Sequence, residues 1–366
     1  MNVDVGKINS GAPLRKNYIV SPDDLILITG SAGFIGSRVV ESLLHWGFRN
    51  LRCLIRPSGD IAKIKSLGER QGDRARVEIL TGNLLSKEDC AAATKDVALI
   101  YHLAAGRGEK SFPGAFVNSV VTTRNLLEAS VTQQCLKRFV NIGSFSVYSN
   151  RHKFKRRLLD ESCPTDEHIE LRGEAYCFAK AKQDEIVIEY GKRFGTPFVI
   201  VRPGYVFGPG KNAITDRVGI DTFGIFLHLG GSNRVPLTYV ENCAEAIVLA
   251  GLMPGIDREV INVVDDDLPS SRQFLRLYKK NVIRFKSLYV PHFMSYVFCY
   301  LWEKYFVWSE GQLPLVFNLR RWHAYIKKTR YSNEKLKKLV GWTPKIPMNE
   351  ALGRYFESCR DGQKNA

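Results

Sequence analysis

The stretch "LILITGSAGFIGS" at residues 25–37 decides the fold. An apolar run of strand length leads directly into Gly30, Gly33 and Gly36, and a helix-like pattern follows. Glycine permits the tight turn, lets the backbone approach a pyrophosphate and allows close packing of helix on strand. The N-terminus of the helix then offers free N–H groups and a partial positive charge to phosphates. The stretch therefore predicts a strand–loop–helix unit that binds a dinucleotide.

Further apolar runs alternate with helical patterns after this unit. Continuous apolar strands separated by helices predict a mostly parallel sheet covered on both faces, which right-handed crossovers make doubly wound, a Rossmann-type α/β fold. After Pro203 the pattern loosens. We expect an N-terminal extension (1–22), a dinucleotide-binding domain (23–203) and a smaller substrate-binding lobe (204–366), with about 234–265 returning to the domain. The predicted strands lie within 25–30, 51–57, 76–83, 97–105, 138–144 and 197–204.

The composition is that of a globular protein with enough apolar material for a sizeable core. Of the 366 residues, 45% are hydrophobic and 25% are charged. The eight cysteines form neither a CxxC pair nor a Cys/His metal spacing, which favours a reducing compartment and no metal site. The start of the chain lacks the apolar stretch of a signal peptide. We therefore expect a cytoplasmic protein.

Positive charge is concentrated in two segments. The formal net charge of +16 favours anionic partners, such as nucleotides, phosphorylated sugars, nucleic acid or an acidic membrane surface. "RHKFKRR" (151–157) holds five Lys or Arg residues, and residues 320–338 hold eight against one acidic residue. Solvated faces and loops are the simpler interpretation of both segments. A phosphate-facing or membrane-facing role is the alternative.

The most apolar late segment is "LYVPHFMSYVFCYLWEKYFVW" at residues 288–308. It is interrupted by His292, Glu303 and Lys304, so it is too short and too charged to predict a membrane span. Aromatic residues beside basic ones are also typical of helices that lie in a membrane interface. The sequence favours a buried helix of the C-terminal lobe, with peripheral membrane contact as the alternative.

Several segments after the glycine loop carry a family resemblance. In "YCFAK", Tyr176 and Lys180 lie four positions apart, which places both side chains on one face of a helix. Together with the spacing TGxxGxxG, these segments resemble the extended short-chain dehydrogenase/reductase superfamily, and most closely its bacterial NAD(P)-dependent nucleoside-diphosphate-sugar epimerase/dehydratase group. The resemblance covers about residues 25–350. Its other landmarks are "HLAA" (102–105), "VNSVVTTRNLLEAS" (117–130), "GSFSVY" (143–148), "RPGYVFGPG" (202–210) and "PLTYVENCAEAI" (236–247).

The resemblance implies catalytic roles for four residues. Hydride transfer between a carbinol carbon and nicotinamide requires a proton to leave or join the oxygen, and Tyr176 is the implied general acid/base. The ammonium group of Lys180 favours the phenolate and hydrogen-bonds the nicotinamide ribose. Ser144 holds the substrate oxygen in line, where it stabilises developing charge. Asn118 supports the lysine through water.

The resemblance also implies an NADP or NAD cofactor. An acidic residue at the end of the second strand usually holds the ribose hydroxyl of NAD. Here Arg56 stands at that end, Asp60 comes four positions later and Arg38 is a second cation, so the sequence favours NADP. Asn83 replaces the family's aspartate that meets adenine. The predicted cofactor-binding residues are Gly30, Ser31, Gly33, Phe34, Ile35, Gly36, Arg38, Arg56, Asn83, Leu84, Leu103, Ala104, Ala105, Tyr176, Lys180 and Pro203.

The residues after the implied catalytic serine narrow the reaction. Related sugar 4,6-dehydratases carry an Asp-Glu pair, and related decarboxylases a glutamate, where this chain has Phe145 and Ser146. Without a second acid or base there, the resemblance favours oxidation, reduction or 4-epimerisation of a nucleotide sugar. A homodimer built on the Tyr/Lys helix and residues 117–130 is also typical of the family. The predicted substrate-binding residues are Ser144, Ser146, Arg202 and Tyr205.

Two alternative functions stay open at the level of sequence. Hydroxysteroid dehydrogenases and dihydroflavonol-type reductases share the scaffold, so the substrate can instead be apolar or lipid-linked, with the aromatic 288–308 segment marking a membrane-associated lobe. A non-catalytic cofactor-sensing or nucleic-acid-binding protein is the other alternative. Because such proteins tend to lose the tyrosine or the lysine, the presence of Tyr176 and Lys180 disfavours it.

Overall fold

The computed structural model describes residues 17–106, 108–109, 111–151, 158–211, 213–222, 224–312 and 317–364. Most of the predicted basic loop at 151–157 (residues 152–157) and most of the predicted N-terminal extension (residues 1–16) lie outside the described residues. The strands are, in chain order, β1 (Ile26–Thr29), β2 (Asn50–Ile55), β3 (Arg76–Thr81), β4 (Leu99–His102), β5 (Arg138–Ile142), β6 (Leu158–Leu159), β7 (Phe198–Pro203), β8 (Tyr205–Phe207), β9 (Gly219–Thr222), β10 (Ile225–His228), β11 (Leu237–Tyr239), β12 (Val260–Val263), β13 (Ser287–Tyr289) and β14 (Arg330–Tyr331).

Helices connect most of these strands. They are α1 (Gly36–His45), α2 (Ala62–Gln71), α3 (Lys87–Thr94), α4 (Phe112–Ala115), α5 (Thr122–Val131), α6 (Ala175–Phe194), α7 (Val240–Leu252), α8 (Ser271–Asn281), α9 (His292–Trp308), α10 (Leu319–Arg321), α11 (Glu334–Val340) and α12 (Met348–Lys364). Two π-helical stretches, Phe116–Val121 and Trp322–Ile326, continue α4 and α10.

The central sheet has seven parallel strands in the order β12–β7–β5–β4–β1–β2–β3. β1, β4 and β5 are buried along their whole length, as expected of strands covered on both faces. α1 and α7 pack on one face, and α3, α5 and α6 pack on the other. The predicted doubly wound α/β fold is therefore confirmed.

Segments from both ends of the chain pack on the central sheet. Within residues 234–265, α7 packs on the central sheet and β12 pairs with β7. Near the N-terminus, the amide of Ile19 donates to Leu252 O (3.0 Å). Near the C-terminus, Trp342 is buried in the same core and its indole donates to Asn242 O (3.2 Å).

The C-terminal part of the chain builds a second core beside the sheet. Its largest buried side chains are Phe207, Phe274, Tyr278, Tyr355 and Phe356, contributed mainly by β8, α8 and α12. Small sheets frame it, pairing β10 with β9 and β13, β8 with β11, and β6 with β14. Most of the aromatic rings pack edge to face or tilted, with centroids 5.3–6.5 Å apart, whereas Phe274 and Tyr278 are stacked.

The expected buried helix at 288–308 is wrong. α9 forms there, yet it buries only Ser295 and Cys299 among its described residues. Its aromatic side chains lie largely in solvent, with Phe293 at 77% and Trp308 at 78% exposure. The sequence shows the apolar content of this helix but not that its small residues face the protein. Among the described residues, every helix is too short or too polar to cross a bilayer.

Candidate active site

The candidate site lies where β1, β4 and β5 end side by side. Because parallel strands point the same way, their carboxyl ends form one edge of the sheet. The glycine loop follows β1, residues 103–106 follow β4, and residues 143–148 follow β5. The chain therefore brings the three predicted site segments together. Of the other predicted cofactor residues, Ser31, Phe34, Ile35, Leu84, Leu103, Ala105 and Pro203 lie at or just beyond strand ends on this edge.

The glycine loop has room for backbone only. Gly30 has φ 66°, and a Cβ there would stand 2.9 Å from Ala104 N. A Cβ on Gly36 would stand 2.1 Å from Gly30 O, so neither position accepts a side chain without rearrangement. The loop leads into α1, whose first N–H groups have no partner within the helix. This cradle fits the pyrophosphate of a dinucleotide.

Arg56 directly follows β2, and two further cations, Arg38 and Lys63, meet at Ser37 on the start of α1. The guanidinium of Arg38 lies 3.4 Å from Ser37 Oγ, and Lys63 Nζ donates to the same hydroxyl at 2.9 Å. Arg56 is exposed at the end of the strand. Lys63 was missed by sequence reasoning because it lies on α2, one element beyond the strand end where the family places its specificity residue.

The polar side chains nearest to these cations are engaged locally. The carboxylate of Asp60 accepts from the amide of Ala62 at 2.9 Å, at the start of α2. The side-chain oxygen of Asn83 accepts from the amide of Leu85 at 3.0 Å. Asn83 therefore has its side-chain nitrogen, rather than its oxygen, to offer to an adenine ring.

α6 places Tyr176 and Lys180 on the same edge of the sheet. Tyr176 is 39% exposed, whereas Lys180 is buried and its Nζ donates to Ile142 O at 2.7 Å, at the end of β5. Burial lowers the pKa of Lys180 to about 8, against the opposing attraction of Asp184 one turn further along. An ammonium ion thus stands one helical turn from a solvent-accessible phenol.

Ser144 opens a short 3₁₀ turn that follows β5. Its Oγ accepts from the amide of Ser146 at 3.1 Å, which orients the hydroxyl two residues beyond the carbonyl that holds Lys180. Ser146 is buried, and its carbonyl accepts from the guanidinium of Arg172, which is also paired with Asp166. The buried guanidinium of Arg172 therefore holds the 3₁₀ turn in place from the protein interior. Sequence reasoning missed this role.

Asn118 lies in the π-helical stretch between α4 and α5. Its side-chain nitrogen donates to Glu109 Oε1 at 2.7 Å. A Cβ on Gly106 would stand 2.9 Å from Asn118 Cβ, so the loop after β4 packs directly on it. Such π-helical stretches within helices often mark functional sites. The stretch also packs against α6, the helix of Lys180.

A buried ion pair lies beneath the lysine. Asp184 Oδ2 accepts from Arg202 Nε at 2.9 Å, and Oδ1 accepts from Asn141 Nδ2 at 2.9 Å. The guanidinium of Arg202 also lies 4.8 Å from the centre of the Tyr148 ring. This placement favours a structural role for Arg202 over the predicted contact with substrate. The signal for Asp184 was present in the sequence, since it follows Lys180 by one helical turn.

His102 connects the glycine loop to α5. Thr123 Oγ1 donates to Ser119 O at 2.6 Å, so His102 Nε2 donates to Thr123 at 2.9 Å and Nδ1 accepts from Thr29 Oγ1 at 2.8 Å. Burial lowers the pKa of His102 to about 3, which keeps the ring neutral. The histidine therefore holds β1 and β4 in register behind the loop.

The segment 318–326 borders the site from the C-terminal lobe. Tyr325 OH donates to Glu174 Oε2 at 2.9 Å and lies 3.2 Å from Cys177 Sγ, so it contacts the start of α6 at two points. Arg321 pairs with the same glutamate at 3.0 Å. Sequence reasoning missed these contacts because Tyr325 lies about 150 residues from Glu174 along the chain.

Tyr205, the other predicted substrate residue, begins β8 just beyond the end of β7. Its hydroxyl donates to Ala213 O at 2.9 Å, and the ammonium of Lys211 lies 3.7 Å from the centre of its ring. These contacts tie the tyrosine to the chain that follows β8. A contact between Tyr205 and substrate stays a prediction.

Comparison with known proteins identifies the family. The sequence profile of the NAD dependent epimerase/dehydratase family matches residues 26–263. The chain belongs to this family, and it is an NAD(P)-dependent enzyme whose cofactor is NAD or NADP. The predicted family is therefore confirmed, and the non-catalytic alternative is not carried further.

The relatives differ in what they act on. The chain is similar to the NAD-dependent epimerase/dehydratase terH of Aspergillus terreus, with 31% identity over 52% of this chain and 60% of the relative. It is also similar to cinnamoyl-CoA reductase 2 of Arabidopsis thaliana, with 26% identity over 50% of this chain and 55% of the relative. The matched part thus spans little more than half the length of these curated relatives.

The fold is shared with solved structures. The crystal structure of UDP-glucuronic acid 4-epimerase from Bacillus cereus in complex with NAD matches with a TM-score of 0.68 and 22% identity. The match covers 92% of this chain and 99% of the epimerase chain. At this identity the likeness shows a common fold, and the chemistry has to be argued from the residues.

Proposed function

We propose that the protein oxidises or reduces a hydroxyl or keto carbon of a nucleotide sugar, with Tyr176 as the general acid/base. The observation that carries this proposal is the buried ammonium group of Lys180, held at Ile142 O one helical turn from the exposed phenol of Tyr176. A cation one helical turn away favours the phenolate form of Tyr176, and a tyrosine must be in this form to accept a proton.

The other residues of the edge have positioning roles in this mechanism. When bound, the dinucleotide accepts or returns the hydride. Tyr176 takes the proton from the substrate hydroxyl during oxidation and gives it back during reduction. Ser144 donates its hydroxyl hydrogen to the same substrate oxygen, which stabilises charge that develops there. Asn118, whose side-chain nitrogen donates to Glu109 at 2.7 Å, supports Lys180 through water.

The turn after β5 supports epimerisation or simple oxidation/reduction. Phe145 is buried and stacks on Tyr331 with ring centroids 5.7 Å apart, and Ser146 is buried beside it. Neither side chain offers the second acid or base that dehydration requires. We therefore favour 4-epimerisation or ketone reduction. A homodimer built on α6 and residues 117–130 stays a prediction.

We also propose that NADP is preferred to NAD. Arg56 follows β2 and Arg38 and Lys63 meet at Ser37, while the carboxylate of Asp60 is held by the amide of Ala62. Cations suit a 2′-phosphate, whereas NAD needs an acceptor for its ribose hydroxyls. Fluorescence titration with both reduced cofactors tests the preference. Lys63→Gln should weaken NADPH binding and leave NADH binding unchanged, and tighter NADH binding by the wild type contradicts the proposal.

A panel of nucleotide sugars tests the main proposal. Purified protein is incubated with UDP-glucose and UDP-glucuronic acid, with NAD or NADP, and the products are followed by NMR at the C4 position. Mass spectrometry of the protein as purified separates the two reactions, since an epimerase retains its cofactor and a reductase exchanges it. The absence of turnover with every nucleotide sugar, in protein shown to bind the dinucleotide, contradicts the proposal.

The second candidate is a dehydrogenase or reductase of an apolar or lipid-linked substrate. The observation that favours it is the exposed aromatic face of α9, which is linked to the start of α6 by residues 318–326. The similarity to cinnamoyl-CoA reductase 2 supports the same direction. This candidate is supported if the protein turns over an apolar alcohol or ketone only with added lipid and does not turn over nucleotide sugars.

A further inference from the structure

α9 has the reverse of the usual polarity of a surface helix. A helix normally turns its apolar stripe to the core and its polar face to water. α9 buries the small residues Ser295 and Cys299 and exposes large apolar ones. The residues exposed along its outer side are Phe293, Met294, Tyr300, Leu301, Lys304, Tyr305, Val307 and Trp308. Their helical spacing makes the surface continuous, and such a surface marks an interaction site.

The chemistry of this outer face suits the headgroup region of a bilayer. Tyr and Trp rings have an apolar body and a polar tip, which is why they are enriched where lipid meets water. The charge on the outer face is Lys304, whose Nζ lies 5.7 Å from the centre of the Tyr300 ring and whose long stem can extend to the headgroups. Glu303, the carboxylate of the helix, is turned inward and accepts from the amide of Leu319 at 3.1 Å.

The exposed surface continues into the strand before the helix. β13 ends at Tyr289, three positions before α9 begins at His292, and it lies at the edge of its sheet. Leu288 and Tyr289 are exposed on it, and Ile283 is exposed in the loop that leads to it. Strand and helix together therefore present one run of exposed apolar residues.

Cations border this run. The guanidinium of Arg272 lies 5.3 Å from the centre of the Tyr289 ring, and Lys279 Nζ donates to Ser287 Oγ at 2.6 Å. Arg284 and Lys286 are exposed just before β13. Within the described part of the chain, none of these four cations forms an ion pair with a carboxylate. Cations therefore predominate around the aromatic run, where Glu310, just after α9, is an exposed carboxylate.

We propose that α9 and β13 dock the protein on the surface of an anionic lipid bilayer, with the aromatic face of α9 at the level of the headgroups. With 17 residues the helix is about 25 Å long and lies in the plane of the interface. A second copy of the chain is the poorer occupant, because a symmetric contact would bring the same cations against each other. The proposal rests on the exposed surface and is independent of the reaction at Tyr176.

Docking would bring the active site close to the bilayer. Ser295 Oγ of α9 accepts from the indole of Trp322 at 2.9 Å, in the segment 318–326. The same segment reaches Glu174 through Tyr325 and Arg321. The segment 318–326 therefore lies between the docked helix and the start of α6 and contacts both.

Vesicle sedimentation tests the proposal. The full chain is mixed with vesicles of phosphatidylcholine that contain phosphatidylserine, and separately with phosphatidylcholine alone. We expect binding to the anionic vesicles that weakens as salt is added. Phe293→Ser, Leu301→Ser and Trp308→Ser should each reduce the partition coefficient at least about tenfold. Arg284→Gln and Lys286→Gln should each reduce it about fivefold.

Matched variants separate docking from folding. Phe194→Ser removes an aromatic side chain of 46% exposure at the far end of α6 and should leave vesicle binding unchanged. Thermal unfolding of each variant establishes that it is folded. Wild-type protein that stays in the supernatant with anionic vesicles overturns the proposal, and equal binding to both vesicle types overturns its anionic part. If the wild type does not bind vesicles but forms a concentration-dependent dimer that Trp308→Ser abolishes, the partner of α9 is a second copy of the chain and the proposal is overturned.

Discussion

Two helices of this protein depart from the usual distribution of polar and apolar residues, in opposite directions. α6 carries Lys180, Gln183 and Asp184 into the interior, whereas α9 carries large aromatic residues to the surface. In α6 each of these buried groups has a partner in the chain: Ile142 O for Lys180, Thr123 for Gln183, and Arg202 for Asp184. The outer face of α9 is open to solvent. Buried polar residues that are paired within the chain indicate chemistry inside the fold, and an exposed apolar face indicates a partner outside it.

The largest effect should follow the loss of the phenol on α6. Tyr176→Phe removes the group that moves the proton, so kcat/KM should fall about 10²–10⁴-fold while dinucleotide binding is nearly unchanged. Steady-state kinetics and fluorescence titration measure the two effects. Tyr190→Phe on the same helix is the control, because its hydroxyl contacts Glu128 at 3.5 Å, away from Ser144 and Lys180. Full activity of Tyr176→Phe would show that the proton moves by another route.

The next effect concerns the ion pair beneath Lys180. Asp184→Ala leaves the buried guanidinium of Arg202 without its carboxylate, so the free energy of unfolding should fall by about 3–5 kcal/mol. Urea denaturation measures the change. Glu185→Ala, which breaks an exposed pair with Lys182, should cost at most about 1 kcal/mol. Equal losses in the two variants would remove the contrast between the inner and outer sides of α6.

The pH dependence of turnover should show the titration of Lys180. Burial lowers its pKa to about 8, so the ammonium ion is present below that pH and is lost as the pH rises through it. Because the ammonium favours the phenolate, kcat/KM should fall about tenfold per pH unit above this value. In Lys180→Arg the cation persists, so the alkaline fall should move upward in pH even though activity is reduced. If kcat/KM falls at the same alkaline pH in both proteins, the group that titrates is not Lys180.

The smallest effect is expected on the outer face of α9. Phe293→Ser should change the free energy of unfolding by no more than about 0.5 kcal/mol, because the side chain is 77% exposed. Urea denaturation beside Asp184→Ala provides a direct comparison of the two helices. A loss as large as that of the α6 variant would mean that the aromatic face supports the fold after all.

The sheet was predictable from the sequence because its signal is local. All six predicted apolar runs contain strands of the central sheet, and the glycine loop between β1 and α1 indicated where the cofactor cradle forms. The apolar runs within residues 234–265 likewise form a helix, α7, and a strand, β12. Periodicity and glycine placement suffice for these elements, since each depends on residues close in the chain.

Contacts between distant segments could not be predicted in the same way. Arg202 pairs with Asp184, and the strand end alone carries no sign of that pairing. Tyr325 reaches Glu174 from about 150 residues away. For α9, the sequence shows an apolar helix, but which side faces the protein depends on Trp322 and Leu319, which contact it from a later segment.

The segment 318–326 contacts both α9 and the start of α6, so the medium of a kinetic assay should affect the enzyme. Trp322 and Leu319 hold α9, while Arg321 and Tyr325 hold the residues around the start of α6. A kinetic assay in plain buffer therefore samples the enzyme with its aromatic helix in water, and an assay with vesicles samples it with that helix covered. A change in KM between the two media would report on a connection through these four residues, without any residue of α9 touching the substrate.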